Sequence, residues 1–374
     1  MVLDQLYATV ARERRRWYVR RPDRRRRLNR PVVSVGNVAA GGSGKTPLVA
    51  HIARLLQDAG HRPAILTRGY ARARPSDGVT VVSDGERLLA DLDRAGDEPL
   101  MLARQLPSVP VLVSSDRYLS GRLAERHFGC TVHLLDDGFQ HVQLERDVDL
   151  VLVSGDDLAR PVTLPSGRLR EPLDAVRKAS AVILSDVEPA QAGAAPGALG
   201  GATVFRLTRE SGPARPVEPD GKVVPPAAGT RVLAVAGLAR PERFFADLGG
   251  QGWTVAGTLA FGDHHRYTRA DLERIAAAMR AAGAALAVTT EKDLVRMLPL
   301  RPLPAPVWWV PLRVSVEPAA EFAAWLNRRI GLVVSGQLPV GSGQSATRDQ
   351  LRTQDSELRT QNSELLDSAE AGCS

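Results

Sequence analysis

From residue 31 onward, short runs of β-branched and aliphatic residues alternate with stretches whose apolar side chains recur at helical spacing. The stretch 48–59 is one such helix, with leucine and isoleucine on one face and Gly60 at its end. Uniformly apolar strands that alternate with helices are typical of a mainly parallel α/β sheet covered on both faces. The runs predicted to be strands are residues 32–35, 64–67, 109–113, 131–135, 150–153 and 181–184.

A change of composition divides the chain. Residues 188–229 are rich in alanine, glycine and proline, with one strand candidate at 204–207, which is typical of an inter-domain connection. A second alternation of strands and helices follows over residues 231–289. The pattern predicts four segments: a basic amphipathic segment (1–30), an α/β domain (31–228), a smaller C-terminal α/β lobe (229–333) and a low-complexity tail (334–374).

The two ends of the chain differ from the body. The tail is rich in serine, glutamine and glycine and repeats a seven-residue unit at 351–357 and 358–364. Two heptads with one apolar position each are too few for a coiled coil, and we expect a disordered extension. At the other end, Leu3, Leu6 and Val10 lie at helical spacing before an arginine cluster. Such a helix either lies on an anionic membrane surface or packs, solvated, against the body.

Composition restricts the class of protein. The 374 residues are 44% hydrophobic and 24% charged, which excludes a wholly disordered or fibrous chain. Two cysteines are too few for a disulfide framework. The net charge of +7 is typical of a nucleic-acid binder, but residues 1–30 hold eleven arginines against three acidic residues. The remainder is nearly neutral, and we therefore expect no nucleic-acid partner.

A glycine-rich sequence between a predicted strand and a predicted helix has the context of a phosphate-binding loop. Its glycines allow backbone N–H groups to surround phosphate oxygens at a helix N-terminus. Lys45 would reach the β- and γ-phosphates and Thr46 would ligate Mg²⁺. Ala39 stands where the strict motif has glycine, and a chance glycine-rich turn is the alternative. The residues predicted to bind nucleotide are Gly41, Gly42, Ser43, Gly44, Lys45 and Thr46.

The apolar run 131–135 ends in two carboxylates, Asp136 and Asp137. In a doubly wound sheet they would face the same crevice as the phosphate loop, and there they would bind the metal of a nucleotide. An ordinary turn is the alternative for this Asp-Asp-Gly sequence. The guanine-reading Asn-Lys-x-Asp order is absent, since residues 290–293 do not fit it, and we predict ATP as the nucleotide.

Taken together, the ordered motifs of the body resemble the tetraacyldisaccharide 4′-kinase family, the lipid A 4′-kinases. The resemblance implies a P-loop NTPase-type α/β fold with a smaller C-terminal lobe and an active site between them. It also implies ATP-dependent phosphorylation of the 4′-hydroxyl of an acylated glucosamine disaccharide 1-phosphate, with ATP and Mg²⁺ as cofactors. It places the enzyme peripherally on the cytoplasmic face of the bacterial inner membrane, against its anionic leaflet. The matching stretches are residues 31–37, 41–47, 67–70, 96–99, 115–117, 134–141, 164–172, 261–265 and 289–293.

The resemblance also implies individual roles. Asp97 matches the family's general base, and His264 or His265 its partner; we favour His264 because it directly follows Asp263. Without the resemblance, Asp97 would be interpreted as a solvated helix N-terminal carboxylate.

Charge neutralisation and metal binding complete the implied site. Lys45 and Arg117 would neutralise phosphate charge, and Glu171 would join Asp136 and Asp137 near the metal. Lys292 fits the family's pattern without an assigned role.

Two other classes of function remain open at this point. A nucleotide switch of the metallochaperone type would share the phosphate loop but would need a cluster of cysteine and histidine ligands, which the sequence lacks. A non-enzymatic nucleotide-binding module held at the membrane by residues 1–30 would leave Asp97 and His264 without a purpose.

Overall fold

The computed structural model describes residues 2–41, 44–70, 72–187, 197, 199–218 and 226–334. The predicted tail from residue 335 and two predicted loop residues, Gly42 and Ser43, lie outside the described residues. The helices are Val2–Arg20 (α1), Lys45–Asp58 (α2), Leu92–Ala95 (α3), Asp97–Gln105 (α4), Arg117–His127 (α5), Gly155–Ala159 (α6), Pro241–Gly249 (α7), Arg269–Ala281 (α8), Glu291–Met297 (α9) and Ala319–Val334 (α10).

The strands alternate with these helices in the order that the apolar pattern predicts. They are Val32–Asn37 (β1), Pro63–Thr67 (β2), Thr80–Ser83 (β3), Val111–Val113 (β4), Val132–Asp136 (β5), Val148–Ser154 (β6), Ala181–Ser185 (β7), Val204–Ser211 (β8), Arg215–Pro216 (β9), Arg231–Ala236 (β10), Thr254–Ala260 (β11), Leu286–Thr290 (β12), Val307–Val310 (β13) and Leu312–Glu317 (β14).

The larger sheet of the described chain has nine strands in the order β14-β8-β7-β6-β1-β5-β2-β4-β3. Its central strands are parallel, whereas β3 and β14 pair antiparallel at the two edges. Strand β1 is buried along its whole length, as expected for a central strand covered on both faces. The mainly parallel α/β fold predicted from the sequence is therefore confirmed.

The smaller sheet has the order β11-β10-β12-β13-β9 within the described residues. Strands β10 to β13 are parallel, and the short β9 adds an antiparallel edge. Helices α7 and α8 pack against it, and Leu272 and Ile275 of α8 are buried in its core. This is the smaller α/β lobe that the sequence predicts.

The boundaries between the two sheets differ from the domain boundaries predicted at residues 228 and 333. The chain enters the smaller sheet at β9 and returns to the larger sheet at β14, which pairs with β8. Helix α10 then buries Phe322, Leu326 and Ile330 in the core of the larger sheet. The two crossings lie side by side, because the Gly212 N–H donates a hydrogen bond to the Pro311 carbonyl.

Helix α1 packs on the first lobe through its polar side. Asp4 and Arg15 are buried, and the Asp4 carboxylate accepts a hydrogen bond of 3.1 Å from the Ser166 N–H. Leu6 and Val10 point outward and remain about 60% exposed. The helix is therefore amphipathic with its apolar face away from the body, an orientation opposite to that of an ordinary surface helix.

Many arginines of residues 1–30 attach this segment to the body. Five form ion pairs with carboxylates of the first lobe: Arg12 with Asp174, Arg15 with Glu171, Arg25 with Glu145, Arg26 with Asp116, and Arg27 with Glu145 and Asp147. The positive charge of the segment is therefore partly neutralised on the protein itself. No helix within the described ranges is long and apolar enough to cross a membrane.

Candidate active site

The phosphate loop joins β1 to α2 at the centre of the larger sheet. Gly41 and Gly44 have φ values of 100° and 88°, in the left-handed region that glycine adopts without strain. Helix α2 begins at Lys45, whose Nζ lies 3.1 Å from the Asn37 Oδ1 and 3.4 Å from the Asp137 Oδ1. The predicted lysine therefore sits at a helix N-terminus beside one of the predicted aspartates.

Asp136 ends β5, the parallel neighbour of β1, and therefore opens on the same edge of the sheet as the loop. The Thr46 hydroxyl donates to Asp136 Oδ2 over 3.4 Å. Asp136 Oδ1 is buried and lacks a hydrogen-bond partner among the described residues. Burial, together with the charges of Glu98 and Asp137, raises the pKa of Asp136 to about 7.

Asp137 has a different environment. Burial acts to raise its pKa, but Lys45 and Arg170 outweigh that effect and lower it to about 2. The Arg170 guanidinium holds both carboxylate oxygens at 3.0 and 3.1 Å and also donates to Asn37. Arg170 and Asn37 lie within motifs that the sequence singled out, yet neither was predicted as a site residue.

Close backbone packing fixes this pair of aspartates. A Cβ atom on Gly138 would lie 2.5 Å from Ser34 Oγ, and one on Gly36 would lie 2.4 Å from the Phe139 Cβ. Both positions therefore require glycine for the turn after β5 to approach β1. Asp137 itself has a φ of 53°, in the left-handed region that aspartate tolerates better than most residues.

Arg117 lies in the same region. It is the first residue of α5, after the cap Asp116, and its side chain is buried. Burial and the charge of Arg68 lower the pKa of Arg117 to about 10, against the opposing charges of Asp137, Asp136 and Asp116. Its Nε has no hydrogen-bond partner in the described part of the chain, which leaves a donor for an anion.

The oxygen donors Thr46, Asp136 and Asp137 suit a hard cation such as Mg²⁺, and the unpartnered Asp136 Oδ1 is the atom that such an ion would satisfy. The described residues contain no group of three or more acidic, histidine or cysteine side chains close enough to hold a metal by themselves. In nucleotide sites, Mg²⁺ usually takes one or two carboxylates together with substrate phosphates and water as ligands.

Glu171 is not brought to this cluster. Its buried carboxylate forms a two-bonded ion pair with Arg15 of α1, at 2.7 and 2.8 Å. The Arg15 guanidinium also donates to the Phe139 carbonyl and lies over the Phe139 ring. Arg15 occupies both oxygens of Glu171, and the Glu171 side chain is only 7% exposed, whereas Asp137, which is also held by an arginine, is 40% exposed. Glu171 therefore attaches α1 to the turn that carries the aspartates, and we leave it out of the proposed metal ligands.

Asp97 is the first residue of α4 and faces the smaller lobe. Its Oδ2 lies 3.0 Å from the Nδ1 of His264, which follows β11. The same oxygen accepts hydrogen bonds from Nε and Nη2 of Arg296 on α9. Burial opposes ionisation of Asp97, but the His264 hydrogen bond and the charges of Lys292 and Arg296 hold its pKa below the ordinary value.

Lys292 contacts the second ring nitrogen of His264. Its Nζ lies 3.2 Å from His264 Nε2 and 3.1 Å from Glu98 Oε1. An ammonium group only donates, so Nε2 accepts and Nδ1 carries the proton that is donated to Asp97. The histidine is therefore oriented by a group on each side, and Lys292 has a role that the sequence left unassigned.

His265 is excluded as the partner of Asp97 by its own contacts. It stacks on Phe261 at 4.7 Å and lies 3.1 Å from the Asp271 carboxylate. The preference for His264 therefore agrees with the geometry. Tyr70 is 72% exposed and its ring contacts His264 edge-on, which places a free aromatic surface at the mouth of the site.

Arg296 is held by a buried network that sequence reasoning missed. It donates to Asp293, which also accepts hydrogen bonds from the Thr290 hydroxyl, the Tyr267 hydroxyl and the Gly237 N–H. The signal was present, since Arg296 lies one helical turn after Lys292 of a recognised motif. Nothing local distinguished this arginine from the many exposed ones.

Comparison with known proteins gives a consistent result. The family model described as tetraacyldisaccharide-1-P 4′-kinase matches residues 1–331. A tetraacyldisaccharide 4′-kinase of Geobacter metallireducens is 40% identical over 305 residues, covering 80% of this chain and 88% of its own. The corresponding protein of Syntrophus aciditrophicus is 40% identical over 318 residues, covering 79% and 83%.

A solved structure matches as well. The crystal structure of the "apo" form of LpxK from Aquifex aeolicus in complex with ATP superposes with a TM-score of 0.71. It is 32% identical in sequence and covers 88% of this chain and 97% of that chain.

Proposed function

Because the chain belongs to the tetraacyldisaccharide-1-P 4′-kinase family, we propose that its cleft transfers the γ-phosphoryl group of ATP to the 4′-hydroxyl of a tetraacyl disaccharide 1-phosphate. The product is the bis-phosphorylated lipid A precursor. The family comparisons do not favour the alternative of a nucleotide switch. The roles of individual residues belong to the same proposal.

One observation supports the assignment of roles: the buried Asp97 carboxylate pairs with the half-buried His264 at the start of α4. Glu98, the neighbour of Asp97, is close enough to raise the pKa of Asp136 at the end of β5. The same Glu98 is bound by Lys292, which also contacts His264. These contacts and the charge of Glu98 support the proposal that the base and the phosphate site share one space between the lobes.

In this proposal the acceptor O–H lies against Asp97, and its oxygen attacks the γ-phosphorus. An O–P bond forms, the bond to the β-phosphate oxygen breaks, ADP leaves, and the proton passes to the Asp97 carboxylate. Asp97 is a weak base because its pKa is lowered. That is sufficient for phosphoryl transfer, since its transition state is loose and the enzyme acts mostly by positioning and charge neutralisation.

Positive charge at the other end of the site comes from Lys45 and Arg117. Lys45 would contact the β- and γ-phosphates and Arg117 the transferred group. Thr46, Asp136 and Asp137 would hold Mg²⁺, which neutralises charge on the phosphate oxygens when bound. Gly41 and Gly44, with Gly42 and Ser43 outside the described residues, would surround the phosphates through backbone N–H groups.

We further propose that α1 lies on the cytoplasmic face of the inner membrane, in contact with its anionic leaflet. The outward apolar face at Leu3, Leu6, Tyr7 and Val10 supports this orientation, because the polar side of the helix is already used by the body. The ion-paired arginines contribute less than their number implies, so apolar contact would supply most of the attraction. A lipid acceptor would then reach the cleft from the surface that the helix occupies.

The direct test is transfer of radiolabel from [γ-³²P]ATP to tetraacyldisaccharide 1-phosphate in detergent micelles. The protein should label the lipid in a reaction that depends on Mg²⁺, and Lys45→Met should abolish labelling. ATP binding without any transfer to the lipid would reject the proposal. Release of phosphate from ATP that is indifferent to the lipid would point instead to a nucleotide switch.

A further inference from the structure

A second cavity lies between the lobes, on the side where the chain crosses from one sheet to the other. Its volume is about 580 Å³, which is in the range of small-molecule sites. The first lobe contributes residues of α2, α4 and the segment after β3, and the second contributes residues of β9, α9 and β13. Pro311 and Arg313, at the returning crossing, complete the wall.

The charge of this cavity is unbalanced. Its lining holds five arginines and two glutamates. Within the described residues, four of those arginines form no ion pair with a carboxylate: Arg54, Arg104, Arg215 and Arg313. The fifth, Arg87, contacts Asp84 at 3.8 Å. A cluster of guanidinium groups with so few carboxylates repels itself and is an arrangement that anions stabilise.

The electrostatics of individual groups agree with this description. Burial lowers the pKa of Arg54, and the charge of Arg313 lowers it further, whereas Glu291 opposes the change. Burial raises the pKa of Glu291, although Arg54, Arg215 and Arg104 all act against it. Glu291 is also fixed by a hydrogen bond of 2.8 Å from Gln105, so its carboxylate serves the contact between α4 and α9.

We propose that this cavity is a binding site for a small molecule carrying two or more oxyanion groups, phosphate or carboxylate, which it holds between the lobes. Planar guanidinium groups bind both kinds of oxyanion through paired hydrogen bonds. Arg104 on α4 and Arg313 on β14 approach the cavity from different parts of the chain. A ligand bound to both would connect the helix that begins at Asp97 with the crossing strand.

This site is separate from the proposed phosphate loop, although the two share helices. Helix α4 carries Asp97 at its start and Gln105 at its end, and α9 carries Lys292 and Arg296 as well as Glu291. A ligand in the cavity would therefore contact the same two helices that hold the carboxylate–histidine pair. Its binding should stabilise the observed arrangement of the lobes.

Isothermal titration calorimetry of the full-length protein at low salt tests the proposal, with inorganic pyrophosphate and citrate as separate probes. The titrations use the Lys45→Met variant, in which anion binding at the phosphate loop is weakened. At least one of the two probes should still bind this variant, at the cavity. Adding Arg104→Gln and Arg313→Gln to this variant should raise the Kd of the probe by about tenfold or more, because charge-assisted hydrogen bonds are lost. Binding of pyrophosphate but not of citrate would identify a phosphate site. Binding of both probes would identify a general oxyanion site.

A matched control removes the same charge elsewhere. Arg280→Gln with Arg328→Gln deletes two exposed arginines that do not line the cavity, and binding should be nearly unchanged. Thermal unfolding provides a second readout: the probe should raise the Tm of the Lys45→Met protein, and the Arg104→Gln/Arg313→Gln change should remove that increase. No binding of either probe, or equal weakening by both double variants, would overturn the proposal.

Discussion

Arg296 donates two hydrogen bonds, from Nε and Nη2, to a single oxygen of Asp97, which lies 199 positions earlier in the chain. The same oxygen receives the His264 Nδ1 contact. One carboxylate of the first lobe is thus held by a cation and a histidine of the second. The hydrogen bonds of Asp97 Oδ2 to His264 and Arg296 therefore both join the two lobes and lower the basicity of the proposed base.

Asp97→Asn should lower kcat by about 10²- to 10⁴-fold, because the amide cannot accept the hydroxyl proton. The affinity for ATP should change little, since Asp97 lies on α4 and makes no contact with the phosphate loop among the described residues. Steady-state kinetics and a nucleotide-binding titration separate the two effects. Comparable losses in turnover and in ATP affinity would contradict the proposed base.

Arg296→Met should raise the pKa of the Asp97 carboxyl by about one unit, because that pKa is now lowered in part by the charge and hydrogen bonds of Arg296. NMR titration of ¹³C-labelled aspartate carboxyls measures this shift directly. The pH profile of kcat/KM is not the readout, because the pKa of Asp136 is about 7 and sets the acid limb. Arg240→Met, which alters an exposed arginine of the second lobe paired with Asp156, is the matched control. An Asp97 pKa that does not move in Arg296→Met would mean that Arg296 is only structural.

Arg15→Met should destabilise the protein by about 3–5 kcal/mol, because it leaves the Glu171 carboxylate buried without its partner. The double variant Arg15→Met/Glu171→Gln should lose less than the sum of the two single changes. Urea unfolding measures each free energy. The exposed pair Arg74 and Asp91 serves as the control, and breaking it should cost less than about 1 kcal/mol.

Glu171→Gln should leave the Mg²⁺ concentration needed for half-maximal activity unchanged, whereas Asp136→Asn should raise it. The reason is that Arg15 occupies both oxygens of Glu171, while Asp136 Oδ1 is unpartnered among the described residues. Titration of activity with MgCl₂ distinguishes the two carboxylates. An equal rise for both variants would return Glu171 to the metal site.

Leu6→Ser should weaken binding to vesicles of anionic phospholipid by about tenfold, given the transfer free energy of an exposed leucine. Its activity on substrate in detergent micelles should be retained, since the exposed Leu6 is not one of the proposed site residues. Vesicle sedimentation provides the measurement. Leu89→Ser, which alters an exposed leucine of the body, should have no effect on sedimentation. Equal binding by all three proteins would reject a membrane-facing α1.

Much of the architecture could be predicted because it is local. Apolar runs of four or five residues predict the central strands, and the glycines before Lys45 predict the phosphate loop. Membership of β14 in the larger sheet could not be predicted in this way. The alternation of Val314 and Val316 indicates a strand, but its partner β8 lies about a hundred residues earlier, and only tertiary packing selects it.

The site shows the same division between local and distant information. The position of Asp136 and Asp137 at the end of a strand follows from the apolar run before them. The contacts of Glu171 instead depend on Arg15, which lies 156 positions away in the chain. An arginine-rich segment offers many candidate cations, and sequence alone does not say which one a buried carboxylate takes. The partners of residues that form long-range ion pairs are therefore the part of the site that the sequence does not predict.

The hydrogen bond between Gly212 and Pro311 has a consequence for dissecting the molecule. Since the polypeptide leaves the larger sheet and comes back, a fragment ending at residue 311 would lack β14 and α10, expose the edge of β8 and uncover the core beneath Phe322. A fragment beginning at residue 213 would carry β14 and α10 without the sheet they complete. The two lobes can be separated genetically only by deleting the smaller one as an insertion. The two ends of the remaining chain would then be joined near Gly212 and Pro311, which are already hydrogen-bonded.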